Sequence, residues 1–135
     1  MASGIMGTVA ESTAPYTKVF RDLRIYGDQP AIAALIARIE MLLDGGWFRD
    51  RDRELMFPQM TGVHYVFVRP SGEDRQGVAM LLDAKRYGVN VSNIAPERHR
   101  LCCEEYNAIL VDFFLRFIDP AAVELELLWE LTSDD

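Results

Sequence analysis

The chain is 135 residues long, half of them hydrophobic and about a quarter charged, which suits one globular domain and is too apolar for a disordered segment. Fourteen basic against twenty-one acidic residues leave a formal charge of −7. A nucleic-acid backbone or an anionic membrane would repel such a chain on average, and a basic protein or cationic ligand is its electrostatic complement.

The first stretch, MASGIMGTVAESTAP, has neither a basic n-region nor a long apolar h-region. Nowhere is there an apolar run of about eighteen residues, the length that a membrane span needs. The expectation is a cytoplasmic protein with a flexible leader over 1–15 and a single α+β domain over 16–135. Cys102 and Cys103 are adjacent, a spacing that rarely closes a disulfide, and read as reduced thiols.

YTKVFRDLRIY (16–26) is β-branched and aromatic enough for a first strand, with Leu23 and Ile25 on one face and Gly27 at its end. Asp28 then stands where an N-cap belongs and Pro30 falls in the first turn. Ile32, Leu35, Ile36, Ile39, Leu42 and Leu43 recur at helical spacing until Gly45-Gly46. The narrow stripe predicts a helix with one side on a sheet and the other in water. After Trp47-Phe48, RDRDRE (49–54) alternates in sign, so neither face could be buried cheaply. An exposed strand extension or loop is expected there, with LMFPQM (55–60) returning to the core.

VHYVFVR (63–69) and VAMLLD (78–83), joined by PSGEDRQG, predict an antiparallel hairpin, and VNVSNI (89–94) a further short strand. Tyr106, Ile109, Leu110, Phe113, Phe114 and Phe117 mark one face of a second long helix. Cys102 occupies its N-cap slot with Glu105 three residues on, a capping box with a thiol in place of a hydroxyl. Asp119-Pro120 is expected to stop it. The chain then reads VELELLWELT (123–132), a closing strand with apolar side chains on one face and Glu124, Glu126 and Glu130 on the other. The order of elements predicts a two-layer α+β sandwich, ferredoxin-like in outline. It would have an antiparallel sheet of about four to six strands and two helices on one face.

Catalytic chemistry has little to stand on. His99, Cys102 and Cys103 lie within one turn and could begin a zinc site or a Cys–His nucleophile, yet only His64 remains as a further imidazole or thiol ligand. His64 heads an apolar strand with no carboxylate or nucleophile set beside it by sequence. Asp83 and Lys85 stand two apart but lack a second acid for metal work. No phosphate-cradling glycine loop occurs, and no cofactor is expected.

The acids are a different signal. After Arg100 come Glu104, Glu105, Asp112, Asp119, Glu124, Glu126, Glu130, Asp134 and Asp135, against one base, Arg116. Such clustering costs self-repulsion and suits the steering of a cationic partner, which can raise association rates by ~10- to 1000-fold. The simpler reading of a charged strand face is a solvated surface.

The run 89–120 contains a short strand, Asn-Ile-x-Pro and then Glu-Tyr-Asn-x-Ile-Leu-x-x-Phe, with Asn93, Pro96, Tyr106 and Asn107 at its special positions. It resembles a pattern found in poorly characterised bacterial proteins, with Cys102 where Ser or Thr would be expected. In size, acidity and lack of a catalytic motif the chain also resembles bacterial immunity proteins and antitoxins. That resemblance implies a non-catalytic module that neutralises a basic cognate toxin by docking an acidic face on it. Glu104, Glu105, Asp112, Glu124, Glu126 and Glu130 would steer the partner, and Trp47 and Trp129 would anchor it. The alternatives are a homo-oligomeric structural or accessory module, such as a homodimer, in which the last strand pairs with its own copy, and a small enzyme using His64 or His99 with Cys102 or Cys103.

Overall fold

The computed structural model describes residues 20–57 and 63–132. The expected leader at 1–15, the start of the first expected strand at 16–19, part of LMFPQM and the last three residues lie outside them. Leu23 and Ile25 alternate with Arg24 and Tyr26 in β1 (Leu23–Tyr26), the apolar pair buried and the polar pair exposed. Asp28 caps α1 (Gln29–Leu42) by accepting from the Ala31 N–H at 3.0 Å. Ile32, Leu35, Ile36 and Ile39 are its buried stripe, as the spacing predicts.

The remaining strands are β2 (Phe48–Arg49), β3 (Val63–Arg69), β4 (Val78–Lys85), β5 (Gly88–Pro96) and β6 (Trp129–Leu131). They form one antiparallel sheet in the order β2-β3-β4-β5-β1-β6. The α+β sandwich is therefore present, although the ferredoxin-like outline is not, because four strands stand between the two long helical connections and every pair is antiparallel. A bulge at Leu81/Leu82 shifts the β4–β5 register by one residue, so Val91 and Ile94 both reach the core.

The helical layer covers one face of this sheet. Phe113, from α3 (Cys103–Phe113), has its ring centroid 4.8 Å from Trp47, 5.4 Å from Phe67 of β3 and 5.0 Å from Phe117. Together these rings tie the helices to the sheet. Asn107 is the one buried polar side chain among the described residues. Its Oδ1 accepts from the Arg21 N–H at 2.8 Å, fastening the lead-in of β1 to α3.

The C-terminal expectation needs correcting. Pro120 does not end the helix. A π turn (Phe114–Ile118) widens the coil, with the Asp119 N–H reaching the Phe114 carbonyl five residues back. Pro120 then falls in the first turn of α4 (Asp119–Glu124), where its missing N–H costs little. The exit is a Schellman motif: the Leu127 N–H bonds the Ala122 carbonyl at 2.9 Å and the Glu126 N–H that of Val123 at 3.1 Å. Glu126 takes the left-handed position, φ 58°, usually given to glycine. Only Trp129–Leu131 of the expected strand is strand.

A second correction concerns RDRDRE. Its last four residues form a short helix, α2 (Arg51–Glu54), capped by the Asp50 carboxylate accepting from the Arg53 N–H at 3.1 Å. Its charges find partners that local alternation does not reveal. Arg49 binds Glu54 through two bonds of 2.8 and 2.9 Å, and Arg51 binds Glu40 of α1 through two of 2.7 and 2.8 Å. Leu55 and Met56 do not return to the core and are exposed.

Relieving the left-handed strain tests the Schellman exit. Glu126→Gly should raise unfolding stability by about 1 kcal/mol in chemical denaturation. A loss of that size would mean that residue 126 does not hold this conformation.

Candidate functional site

The eight residues expected to bind a partner do not share one face. Glu124 ends α4 and accepts from Arg38 Nε of α1 at 2.7 Å, tying the two helices together. Glu126 sits in the turn beyond it. Glu130 lies on β6 with its carboxylate on the opposite face of the sheet, where Tyr26 Oη donates to Oε1 at 2.7 Å. The acidic strand face is thus dispersed, because alternation across 123–132 belongs to a strand that those residues do not form.

Trp47 is 5% exposed and packs edge-on against Phe113, so it is a core residue and not a surface anchor. Trp129 is half-buried against Phe114, ring centroids 4.7 Å apart. Glu104, Glu105 and Asp112 do lie exposed on α3. Glu105 accepts from the Cys102 N–H at 3.1 Å, and this bond holds its carboxyl below its ordinary pKa. Asp112 pairs with Arg116 at 3.3 Å, and Arg116 also binds Asp44.

What the structure gathers instead is the outer face of the last helical run. Glu104, Glu105, Ala108, Asp112, Leu115, Val123 and Glu124 are all exposed along α3, the π turn and α4, with Glu105, Ala108, Asp112 and Leu115 three to four residues apart on one side of the helix. Leu115 is 59% exposed, Val123 66%, and Leu128 in the following turn 67%. Large apolar side chains left in water among carboxylates are the composition of a protein-contact patch.

A second feature lies on the sheet face away from the helices. His64 pairs in register with Asp83, Asp83 with Asn90, Asn90 with Arg24 and Arg24 with Glu130. One polar side chain from each of five neighbouring strands thus forms a row about 19 Å long at the usual strand spacing. His64 Nε2 is 3.0 Å from Asp83 Oδ1, and Lys85 Nζ is 2.9 Å from Oδ2. The His64 ring stacks on Phe57 with centroids 4.4 Å apart, and its Nδ1 is buried with no hydrogen-bond partner among the described residues. With one nitrogen beside Asp83 and the other enclosed, the ring is poorly placed to reach a substrate.

The histidines and cysteines are not brought together as one site. His64 lies beside Asp83, and five residues along β4 Val78 pairs with Pro96, ahead of the α3 cysteines. That is about 17 Å along the strands. His99 is held through its backbone by the Gln76 amide, with bonds of 2.8 Å from its N–H and to its carbonyl. Among the described residues no three His, Cys, Asp or Glu side chains are placed to hold a metal ion, and no helix is long and apolar enough to cross a membrane. No family model matches the chain, and neither a curated protein nor a solved structure matches it.

The Tyr26–Glu130 bond raises the Tyr26 pKa above its ordinary value; burial adds to the shift, and Arg24 opposes it. Glu130→Gln removes the charged acceptor, so Tyr26 should titrate at lower pH, read by NMR of ¹³Cζ-labelled tyrosine. An unchanged titration would mean that Tyr26 does not hold Glu130.

Proposed function

We propose that this chain is a non-catalytic binding protein of the immunity or antitoxin type, which neutralises a basic protein partner by covering it. The observation that carries the reading is the outer face of the last helical run, where exposed Leu115 and Val123 stand among Glu104, Glu105, Asp112 and Glu124. Carboxylates there steer a cationic surface and set the choice of partner. The exposed aliphatic side chains supply area to be dried on contact. Trp129 is half-buried against Phe114 behind this run, and Trp47, a core residue, has no part in the contact.

Charge complementarity favours this surface over self-pairing of the sheet. The sheet's edge strands, β2 and β6, are two and three residues long, too short to template a stable dimer through backbone bonds. An enzyme built on His64 with the cysteines is disfavoured by their separation along the sheet.

The test is co-expression with the basic product of a neighbouring gene, followed by affinity measurement at low and high salt. The wild type should bind in equal amount and weaken with salt. Glu104→Lys with Leu115→Ser, both on that face, should lower affinity by about tenfold or more while the far-ultraviolet circular dichroism stays that of the wild type. Unchanged affinity in the double variant would overturn the proposed surface.

A further inference from the structure

Above the polar row lies a bay that the acidic reading does not use. On the open face of the sheet, two rows of three positions stand abreast: Asp83, Asn90 and Arg24, then Lys85, Gly88 and Tyr26. Five of the six carry polar or aromatic side chains, and the sixth, in the middle of its row, carries none. A Cβ on Gly88 would come within 2.5 Å of the Ile25 carbonyl oxygen, so the close pairing of β1 with β5 demands glycine there. The floor of the gap between Lys85 and Tyr26 is therefore backbone, at Gly88. The Arg86-Tyr87 turn walls that gap, giving a cavity of about 500 Å³.

The lining is cationic in a chain whose net charge is −7. Arg24, Lys85 and Arg86 face one carboxylate, Asp83. Asp83 is already engaged by Lys85 and His64. Arg24 leans on Asp22 at 3.2 Å, and Glu130 is turned to Tyr26. Arg86 makes no ion pair among the described residues, and its guanidinium rests 5.3 Å from the centre of the exposed Tyr87 ring.

We infer that this bay binds a small organic phosphate carrying a flat ring, with a nucleoside monophosphate as its type. Arg86 and Arg24 present N–H groups to the phosphate, and Lys85 a point charge. Tyr87 and Tyr26 offer ring faces for stacking. The Asn90 side-chain amide takes the amino and hydroxyl donors of such a ligand. A cavity of this volume falls in the range of small-ligand sites and exceeds what inorganic phosphate fills. The overall negative charge disfavours a longer nucleic acid, whose remaining phosphates would lie over acidic surface.

The experiment is calorimetric titration of the full chain with adenosine 5′-monophosphate, adenosine, inorganic phosphate and a short single-stranded oligonucleotide. The monophosphate should saturate one site, and adenosine and phosphate should each bind about tenfold more weakly or worse. Arg86→Ala and Tyr87→Ala, both at exposed turn positions, should each weaken the monophosphate by about tenfold. Arg98→Ala, just beyond the far end of β5, should change nothing. The inference is overturned by no saturable binding, by phosphate binding as tightly as the monophosphate, by tighter binding of the oligonucleotide, or by an equal loss in Arg98→Ala.

Discussion

The insertion of β1 between β5 and β6 is the constraint on which the rest of the molecule depends. Leu23 and Ile25 are completely buried in that strand, and its pairing on both sides joins the two ends of the described chain at one edge of the sheet. The Arg21 Nε and Asp22 N–H donors, which bond Thr132 at 2.6 and 2.7 Å, fasten the junction. Two long connections follow from it. To reach the far edge at β2 the chain must cross the sheet from β1, which α1 does, and to reach β6 from β5 it must step over β1, which α3, the π turn and α4 do. Both crossings take the same face, so one face becomes core. On the other, α2 and Phe57 cover only Val66, Val68, Ala79 and Leu81 in part. The bay and the Arg24–Glu130 end of the polar row therefore stay open.

The same topology decides where charge goes. Crossing the sheet leaves α3 and α4 with one side packed through Leu110, Phe113, Phe117 and Ala121 and the other side in water, and the acids occupy the wet side. Cations are divided differently. Arg38 and Arg116 stitch the helical layer, Arg49 and Arg51 fix α2 to its neighbours, and Arg24, Lys85 and Arg86 collect on the open face. An overall charge of −7 thus conceals two faces of unlike character, one lined with acids and the other holding a cationic bay.

Local periodicity revealed the elements whose buried face is continuous. The stripe of α1, the hairpin of β3 and β4, β5, and the face of α3 were all legible from spacing and turn residues. VELELLWELT misled because strict alternation is also compatible with a helix end followed by a turn. Nothing in its composition announces the π turn that carries the helix past Pro120, or a glutamate in the left-handed position. RDRDRE misled because the partner of Arg51 is Glu40, eleven residues away on another helix. Trp47 lost its surface role to the Phe113 ring, a contact between segments far apart in sequence. The polar row was invisible since it needs the register of five strands at once. Its trace in the sequence is that Arg24, His64, Asp83 and Asn90 each interrupt an apolar strand on the side facing away from its core residues.

We propose that the outer face of the last helical run, and not the open face of the sheet, meets a protein partner. Carboxylate footprinting by carbodiimide labelling and mass spectrometry, with and without the co-expressed basic protein, tests it most directly. The expected result is loss of labelling at Glu104, Glu105, Asp112 and Glu124, with Glu73 and Asp74 in the β3–β4 turn labelled as before. Protection of Asp83 and Glu130 on the open face, with the helical carboxylates unchanged, would contradict it.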